Sequence, residues 1–555
     1  MFKLASSLQQ LMMPEDRRQW PILLGASLVS GLSRSLFLAL VSTAVASRDS
    51  EYRTLYAIGI VLLIVAIVAA DYFSAIRGRE VSTRLAMRLR NGLLDRIGSA
   101  NLRFVEQEEP SRLHYHLMHT IGVVAGTYFV LLGFANSLVT LAFNFIYIGW
   151  LSWVGLVSAL LISLIGVRVH WHFERLNEQR RRRLDELGNS NNACHMAYLL
   201  GYKELRLSRA KETDYRAQID GINAEALCET VSEARVSTTG GMATSLFQYL
   251  TIAAATLLLP RITDIDSMTV MQLLAAILFT IGPLEGVVGS FASFGRAQVA
   301  MDNLHRLTDA VSATRECAPM PDHPGLPPFS SLALRGVTFA FDQNVGGDTE
   351  VFRLGPIDFS LRQGEVVFVV GGNGSGKTVL MRLLTGLYRP SGGEILYNGR
   401  ALSDQDRQAF REQFATVFND FFLFAELLGQ RDTPREVILD WLGHFDLAGK
   451  ADFEEGCFTT VNLSTGQRKR LALIIALLEK RPLMVLDEFG ADQDPEHRER
   501  FYREWLPELR KMGCTLMVVS HDDRYFGAAD RVVRMDYGHI SEIVARQPTN
   551  AAQSA

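Results

Sequence analysis

Glu365-Val-Val-Phe-Val-Val-Gly371-Gly-Asn-Gly-Ser-Gly-Lys377-Thr378 is an apolar run of strand length that empties into a glycine-rich turn. An uninterrupted apolar strand is what a parallel sheet covered on both faces requires. The turn matches G-x-x-x-x-G-K-[ST], a phosphate-binding loop. Its small residues, Gly371, Asn373, Gly374, Ser375 and Gly376, let backbone N–H groups turn inward around phosphate oxygens. Lys377 is placed to bring charge to the β- and γ-phosphates, and Thr378 to ligate Mg²⁺. The expected ligand is a nucleoside triphosphate with its metal.

A second strand pattern, Leu483-Met-Val-Leu-Asp487-Glu488, ends on two carboxylates. Asp487 suits a metal shell, and Glu488 suits a general base that polarises an attacking water. Two solvated acids at a strand end would be the plainer reading of this pair taken alone.

Upstream lies Cys317-Ala-Pro-Met-Pro-Asp-His-Pro-Gly-Leu-Pro-Pro-Phe329, whose five prolines exclude a helix or a central strand. Residues 311–330 therefore read as a linker, with a nucleotide-binding domain at 331–545 and a tail at 546–555 expected to be disordered.

Before the linker the composition changes. The 555-residue chain averages 48% hydrophobic and 21% charged, with net charge −4, so nucleic acid is not an expected partner. The apolar residues crowd into six runs, at about 20–46, 55–76, 122–148, 151–170, 238–260 and 268–292. Each approaches the roughly 20 residues that cross a bilayer. Residues 1–19 are polar and read as a cytoplasmic segment rather than a cleaved signal, so 20–310 becomes a six-span domain. Trp20, Trp150 and Trp153 suit the membrane interface.

Arginines crowd the segments after the second and fourth runs, among them Arg180–Arg183, and are sparse at 47–54 and 261–267. That asymmetry places both termini in the cytoplasm. A solvated helix face near lipid headgroups accounts for Arg180–Arg183. Apolar spacing at Leu85, Leu89 and Leu93 suggests that the spans continue below the membrane as helical stalks. Five scattered cysteines give neither a disulfide framework nor a zinc site.

Polar residues within the runs are Arg34, Asp71, Asn136, Asn144 and Glu285. A charge at mid-bilayer costs on the order of 3 kcal/mol, so such groups face a cavity or a partner. Arg34, Asp71 and Glu285 are substrate-path candidates, although the first two can equally pair with each other. Pro283, just before Glu285, should disturb its helix and free backbone groups.

The remaining motifs carry a family resemblance. Leu463-Ser464-Thr465-Gly466-Gln467 resembles the ABC signature L-S-G-G-Q, with Thr465 at the third position. Asp494 falls where that family has its D-loop aspartate. His521, in Val518-Val-Ser-His-Asp522, resembles the switch histidine, and Phe341 resembles the aromatic that stacks on adenine. Asn419, in Val417-Phe-Asn-Asp-Phe-Phe-Leu-Phe424, stands where the family usually has glutamine, one methylene longer. Its reach to Mg²⁺ is thereby put in doubt. Phe489 replaces the usual proline after the catalytic glutamate.

The resemblance implies an all-α six-helix transmembrane exporter domain fused to an α/β P-loop ABC ATPase domain, with ATP and Mg²⁺ as cofactors. Glu488 and His521 would be catalytic, while Ser464, Gly466 and Gln467 would contact the nucleotide of a second copy in a homodimer. The short segment Gly201-Tyr-Lys-Glu-Leu-Arg-Leu207 would dock on the neighbouring ATPase domain. Asp487-Glu-Phe-Gly-Ala-Asp-Gln-Asp-Pro495 and Ser520-His-Asp-Asp-Arg-Tyr-Phe526 resemble the bacterial cyclic-peptide exporters, of the pyoverdine and syringomycin types. A peptide, a peptide-siderophore precursor or a lipopeptide crossing the bacterial inner membrane is the expected cargo. A lipid flippase or multidrug exporter shares every ATPase motif, and a membrane ATPase acting as a sensor without net transport is the alternative of another class.

Overall fold

The computed structural model describes residues 14–46, 53–263, 265–316, 325–341 and 352–545. Residues 1–13, the 47–52 loop, the middle of the linker with Cys317, and the 546–555 tail lie outside the described residues. The chain divides into two compact units, which part between Arg315 and Glu316, with Asn101–Arg103 belonging to the second.

The first unit is helical. Its elements are α1 (Pro14–Ala46), α2 (Arg53–Gly98), α3 (Leu102–Gln107, whose first two residues are counted with the second unit), α4 (Pro110–Tyr115), α5 (Ile121–Leu151), α6 (Trp153–Leu176), α7 (Glu178–Leu200), α8 (Tyr202–Arg206), α9 (Arg209–Ala253), α10 (Leu259–Ile262) and α11 (Ser267–Ala313). Six of its helical segments are long and apolar enough to cross a membrane. At 46, 45 and 47 residues, α2, α9 and α11 each reach roughly 70 Å, more than twice a hydrocarbon core, so they extend well beyond it. On α2 the apolar side chains Val61, Leu62, Val65 and Val68 all face outward. An apolar band of that kind belongs in lipid, and the chain is a multi-pass membrane protein.

The third and fourth spans separate at a single residue. Ser152 takes an extended conformation (φ −159°, ψ 119°), and its hydroxyl accepts from the Gly155 N–H at 3.1 Å to start α6. The helix α11 continues to Ala313, so residues 311–313 are helical rather than linker. The Arg180–Arg183 run is not uniformly solvated. Arg181 is 6% exposed and is held by Glu174 and Glu233. Arg182 is half-buried and pairs with Glu178, and Arg183 stays exposed and pairs with Glu225.

The second unit is α/β. A four-stranded sheet runs in the order β2 (Arg353–Arg362), β1 (Ser331–Ala340), β4 (Gly392–Tyr397), β5 (Arg400–Ala401). A six-stranded sheet runs β12 (His539–Ala545), β11 (Arg531–Asp536), β3 (Val366–Gly371), β10 (Thr515–Val519), β9 (Leu483–Asp487), β6 (Phe414–Val417). Its strands pair in parallel from β11 to β6, and β12 adds antiparallel at the edge, while β7 (Phe453–Glu454) and β8 (Cys457–Phe458) form a separate antiparallel pair. Every residue of β9 and β10 is buried, as a sheet covered on both faces requires. The helices that concern the site are α12 (Lys377–Leu384), α13 (Arg407–Arg411), α14 (Arg435–His444), α15 (Thr465–Leu478) and α16 (Pro495–Arg500).

Candidate functional site

The carboxyl end of β3 passes into the glycine turn and then α12, so three segments of one local stretch form a cradle. Gly371 has φ +155°, and a Cβ there would lie 2.3 Å from the carbonyl oxygen of Met535, so only glycine fits. Within the cradle Ser375 is buried and its hydroxyl has no hydrogen-bond partner. An orphaned buried hydroxyl in a glycine-rich turn at a helix start fits a phosphate ligand. Lys377 Nζ donates to the carbonyls of Gly371 and Gly372, each at 2.9 Å. Burial lowers the Lys377 pKa, against the opposing influence of Glu488 and Asp487. The Thr378 hydroxyl group is on the exposed side of α12, and Asn373 and Gly374 are exposed in the turn.

The parallel strands β9 and β10 bring the next groups to the same sheet edge, with Asp487 level with Val519. Asp487 is 3% exposed, and burial pushes its carboxyl up to about 6, although the Asn419 backbone N–H donates to it at 3.4 Å. A cation beside it would reverse that shift, so the donor set of Asp487 and Thr378 fits Mg²⁺.

Glu488 leaves the strand at φ +48°, with its N–H bonded to the Val519 carbonyl at 3.1 Å. Its carboxylate is partly exposed. His521 Nε2 then lies 3.1 Å from Glu488 Oε1. A carboxylate steadied by an imidazole can take a proton from water.

Lys469 follows the signature between Arg468 and Arg470 and matches no motif of its own. Its side chain is 0% exposed. Its ammonium reaches Asp492 Oδ2 at 2.6 Å, the Glu488 carbonyl at 2.9 Å, Asn419 Oδ1 at 3.0 Å and the Asp487 carbonyl at 3.4 Å. The available signal was its place on α15: it falls on the helix's buried face, with Leu473 one turn on also buried.

The signature residues make a second group. Ser464 precedes α15, and its N–H donates to Gln467 Oε1 at 3.1 Å, so Gln467 caps its own helix. A Cβ on Gly466 would lie 2.7 Å from the Asp492 carbonyl, and Gln493 Nε2 donates to the Gly466 carbonyl at 3.1 Å. Asp494 caps α16 by accepting from the His497 N–H at 3.0 Å, and that bond lowers its pKa.

Lys377, Asp487, Glu488, His521 and Asn419 are therefore gathered together. Ser464, Gly466, Gln467 and Asp494 form a second group around the starts of α15 and α16, linked to the first group through Asp492 and Lys469. Phe341 lies beyond β1, edge-on to Phe339 at 5.1 Å and with the Arg103 guanidinium 5.9 Å from its ring centroid. Phe489 is buried in the core against Phe501.

Among the spans, Arg34 pairs with Asp71 at 2.6 Å, and Ser30 donates to the same carboxylate. Asn144 is fully buried, accepting from Ser35 and donating to the Phe279 carbonyl. The Asn136 side-chain oxygen is buried without a partner. Glu285 is exposed on α11, with no hydrogen bond or ion pair among the described residues. Between α6 and α11 lies a cavity of about 660 Å³, walled by Leu164, Val167, Phe291 and Phe294. Arg168 and Arg175 line it and stack on Trp171 at 4.9 and 3.5 Å. The sequence reading did not single out either arginine.

Residues 354–491 match the family described as "ABC transporter". Over 550 residues the chain is 30% identical to "ATP-binding protein SyrD" of Pseudomonas syringae pv. syringae, covering 92% of each chain. It is 26% identical to an "ATP-dependent lipid A-core flippase" of Paraburkholderia xenovorans, over 85% of this chain and 80% of that one. The structure of a bacterial Atm1-family ABC exporter with ATP bound superposes with a TM-score of 0.80 at 19% identity, covering 95% of both chains, a likeness of fold.

Proposed function

The chain belongs to the ABC transporter family, and we propose that two copies of it export a peptide, with hydrolysis of ATP at Glu488 driving the cycle. The observation that carries the ATPase part is the convergence of Lys377, Asp487, Glu488 and His521 at one edge of the parallel sheet. The peptide part is supported by similarity to SyrD along 92% of the chain.

In this reading Lys377 neutralises the phosphate oxygens and the cradle around Ser375 orients them. Glu488 accepts the proton of the attacking water, and His521 holds the carboxylate in place. Thr378 and Asp487 are the residues that would hold Mg²⁺, which supplies positive charge to the phosphates when bound. Phe341 offers a stacking face to the adenine.

A homodimer is supported by the single phosphate cradle and single signature-like segment that the sequence carries. Ser464 of the partner subunit would close over the nucleotide held by Lys377, giving two sites related by a two-fold axis. The exposed Leu200 and Leu207 flank α8, and we assign this short helix to dock on the second copy's ATPase domain. The arginine distribution supports an inner-membrane orientation with both termini cytoplasmic. Glu285 and the cavity beside Trp171 are the cargo contacts we assign, since an unpaired carboxylate on a spanning helix needs a polar neighbour.

Reconstitution into inside-out vesicles tests the proposal, with a labelled cyclic lipopeptide and a labelled lipid as alternative cargoes. ATP-dependent lipopeptide accumulation that is lost in Glu488→Gln supports it. Lipid translocation without peptide accumulation favours the flippase reading, to which the lipid A-core relatives give some weight. Cargo-stimulated hydrolysis with neither movement favours a sensor.

A further inference from the structure

We propose that Lys469 is a positioning residue for ATP hydrolysis, and that Asn419 serves as its acceptor rather than as a ligand to Mg²⁺. The proposal rests on the ATPase assignment alone and is independent of the cargo.

An ammonium has three N–H donors and no acceptor. Around Lys469 stand the Asp492 carboxylate, the Glu488 carbonyl and the Asn419 amide oxygen, all within 3.0 Å. Those acceptors come from three chain segments: the end of β9, the turn that follows it, and the loop after β6. A fully buried charge is tolerated only when it is paired and fully bonded, and here it is both. The bond to the Glu488 carbonyl fixes the main chain of the residue whose carboxylate faces His521. Glu488 holds φ +48°, a left-handed conformation that a non-glycine residue keeps only when its surroundings enforce it. Lys469 is one of the groups that enforce it.

The same ammonium decides the role of Asn419. Its Oδ1 already accepts from Lys469 at 3.0 Å. With a metal–oxygen bond of about 2.1 Å, Mg²⁺ on that oxygen would stand within about 5 Å of the buried ammonium. Two cations that close repel strongly in a partly dehydrated site. Asn419 is also one methylene shorter than glutamine, and Lys469 is long enough to reach its amide oxygen. The pair acts as one strut, joining α15 to the loop after β6 and to the main chain of Glu488.

The test uses the full chain in lipid nanodiscs, with three measurements: steady-state ATPase kinetics, ATP binding in EDTA, and Mn²⁺ binding to the ATP complex by electron paramagnetic resonance. Lys469→Met is expected to lower kcat by at least about tenfold while ATP affinity in EDTA stays within about twofold. Asn419→Ala should leave Mn²⁺ affinity within about twofold, and its effect on kcat should not multiply with that of Lys469→Met. The paired variant Lys469→Gln/Asn419→Gln, which rebuilds the contact with two amides, should recover at least about tenfold in kcat over Lys469→Gln alone. Full kcat in Lys469→Met, a tenfold loss of Mn²⁺ affinity in Asn419→Ala, or no recovery in the paired variant would each overturn the proposal. If Lys469→Met does not fold, the comparison of Lys469→Gln with the paired variant decides.

Discussion

The side-chain amide of Asn144 donates to the carbonyl oxygen of Phe279 at 3.2 Å, and that carbonyl is the one Pro283 leaves unserved. Pro283 lies inside α11, and a proline has no N–H to return to the residue four positions before it. In hydrocarbon no water replaces the missing donor. Asn144 supplies it from α5 and also accepts from Ser35 of α1 at 2.8 Å, so one amide ties three spans together.

Replacing Asn144 with valine should therefore destabilise the detergent-solubilised protein by about 2 kcal/mol, the cost of an orphaned buried acceptor. In a Pro283→Ala background the helix can satisfy its own carbonyl, and the same replacement should cost less than half as much. Equal losses in both backgrounds, by thermal unfolding, would show that Asn144 matters for some other reason.

Arg34 and Asp71 neutralise each other across α1 and α2. Arg34→Gln or Asp71→Asn alone leaves one charge unmatched, and each should lower stability by about 1–3 kcal/mol. The double replacement should be closer to wild type than either single one. A pair that instead serves the cargo would show intact stability and lost transport in both single variants.

His521 and Glu488 stand 3.1 Å apart at the end of the parallel sheet. Glu488→Gln should cut kcat by about 10²–10⁴-fold, the usual contribution of a general base, and keep ATP binding. His521→Ala should lose less, since the carboxylate itself remains. Near-normal turnover by Glu488→Gln would remove Glu488 from its assigned role.

Burial raises Asp487 to about 6, so the folded chain holds a proton that the unfolded chain releases. Stability from this group is greatest at acid pH and is lost as pH rises from about 4 to 6. Without divalent cations, Asp487→Asn should be more stable than wild type by about 1–3 kcal/mol at pH 7.5, and the gap should close near pH 4. A gap that widens toward acid pH would contradict the shift.

Phe341→Ala should weaken ATP binding by roughly tenfold, in line with about 1–3 kcal/mol per stacked base, and Phe341→Trp should restore it. Calorimetry with ATP in EDTA reads this directly. Unchanged affinity in Phe341→Ala would assign adenine to another surface.

The legible parts of this chain are the local ones. Six apolar runs of roughly 20 residues or more, the glycine turn at Gly371–Lys377 and the paired acids Asp487-Glu488 each announce themselves within one continuous stretch of chain. The basic runs were less readable. Arg181 and Lys469 each look like one member of a solvated charge cluster, yet they are 6% and 0% exposed. Their partners Glu233 and Asn419 are some fifty positions away, and no spacing rule links them.

The amino-acid order by itself determined that there would be membrane spans and a phosphate cradle, because hydropathy over a span and the φ freedom of glycine act within one short stretch of chain. Only the tertiary structure decided that Arg34 meets Asp71, that Asn144 serves the carbonyl freed by Pro283, and that Lys469 closes on Asn419. Those pairings depend on which turns of distant elements come to face each other. That is fixed by packing across the whole unit, where a buried charge or an orphaned carbonyl must find its partner.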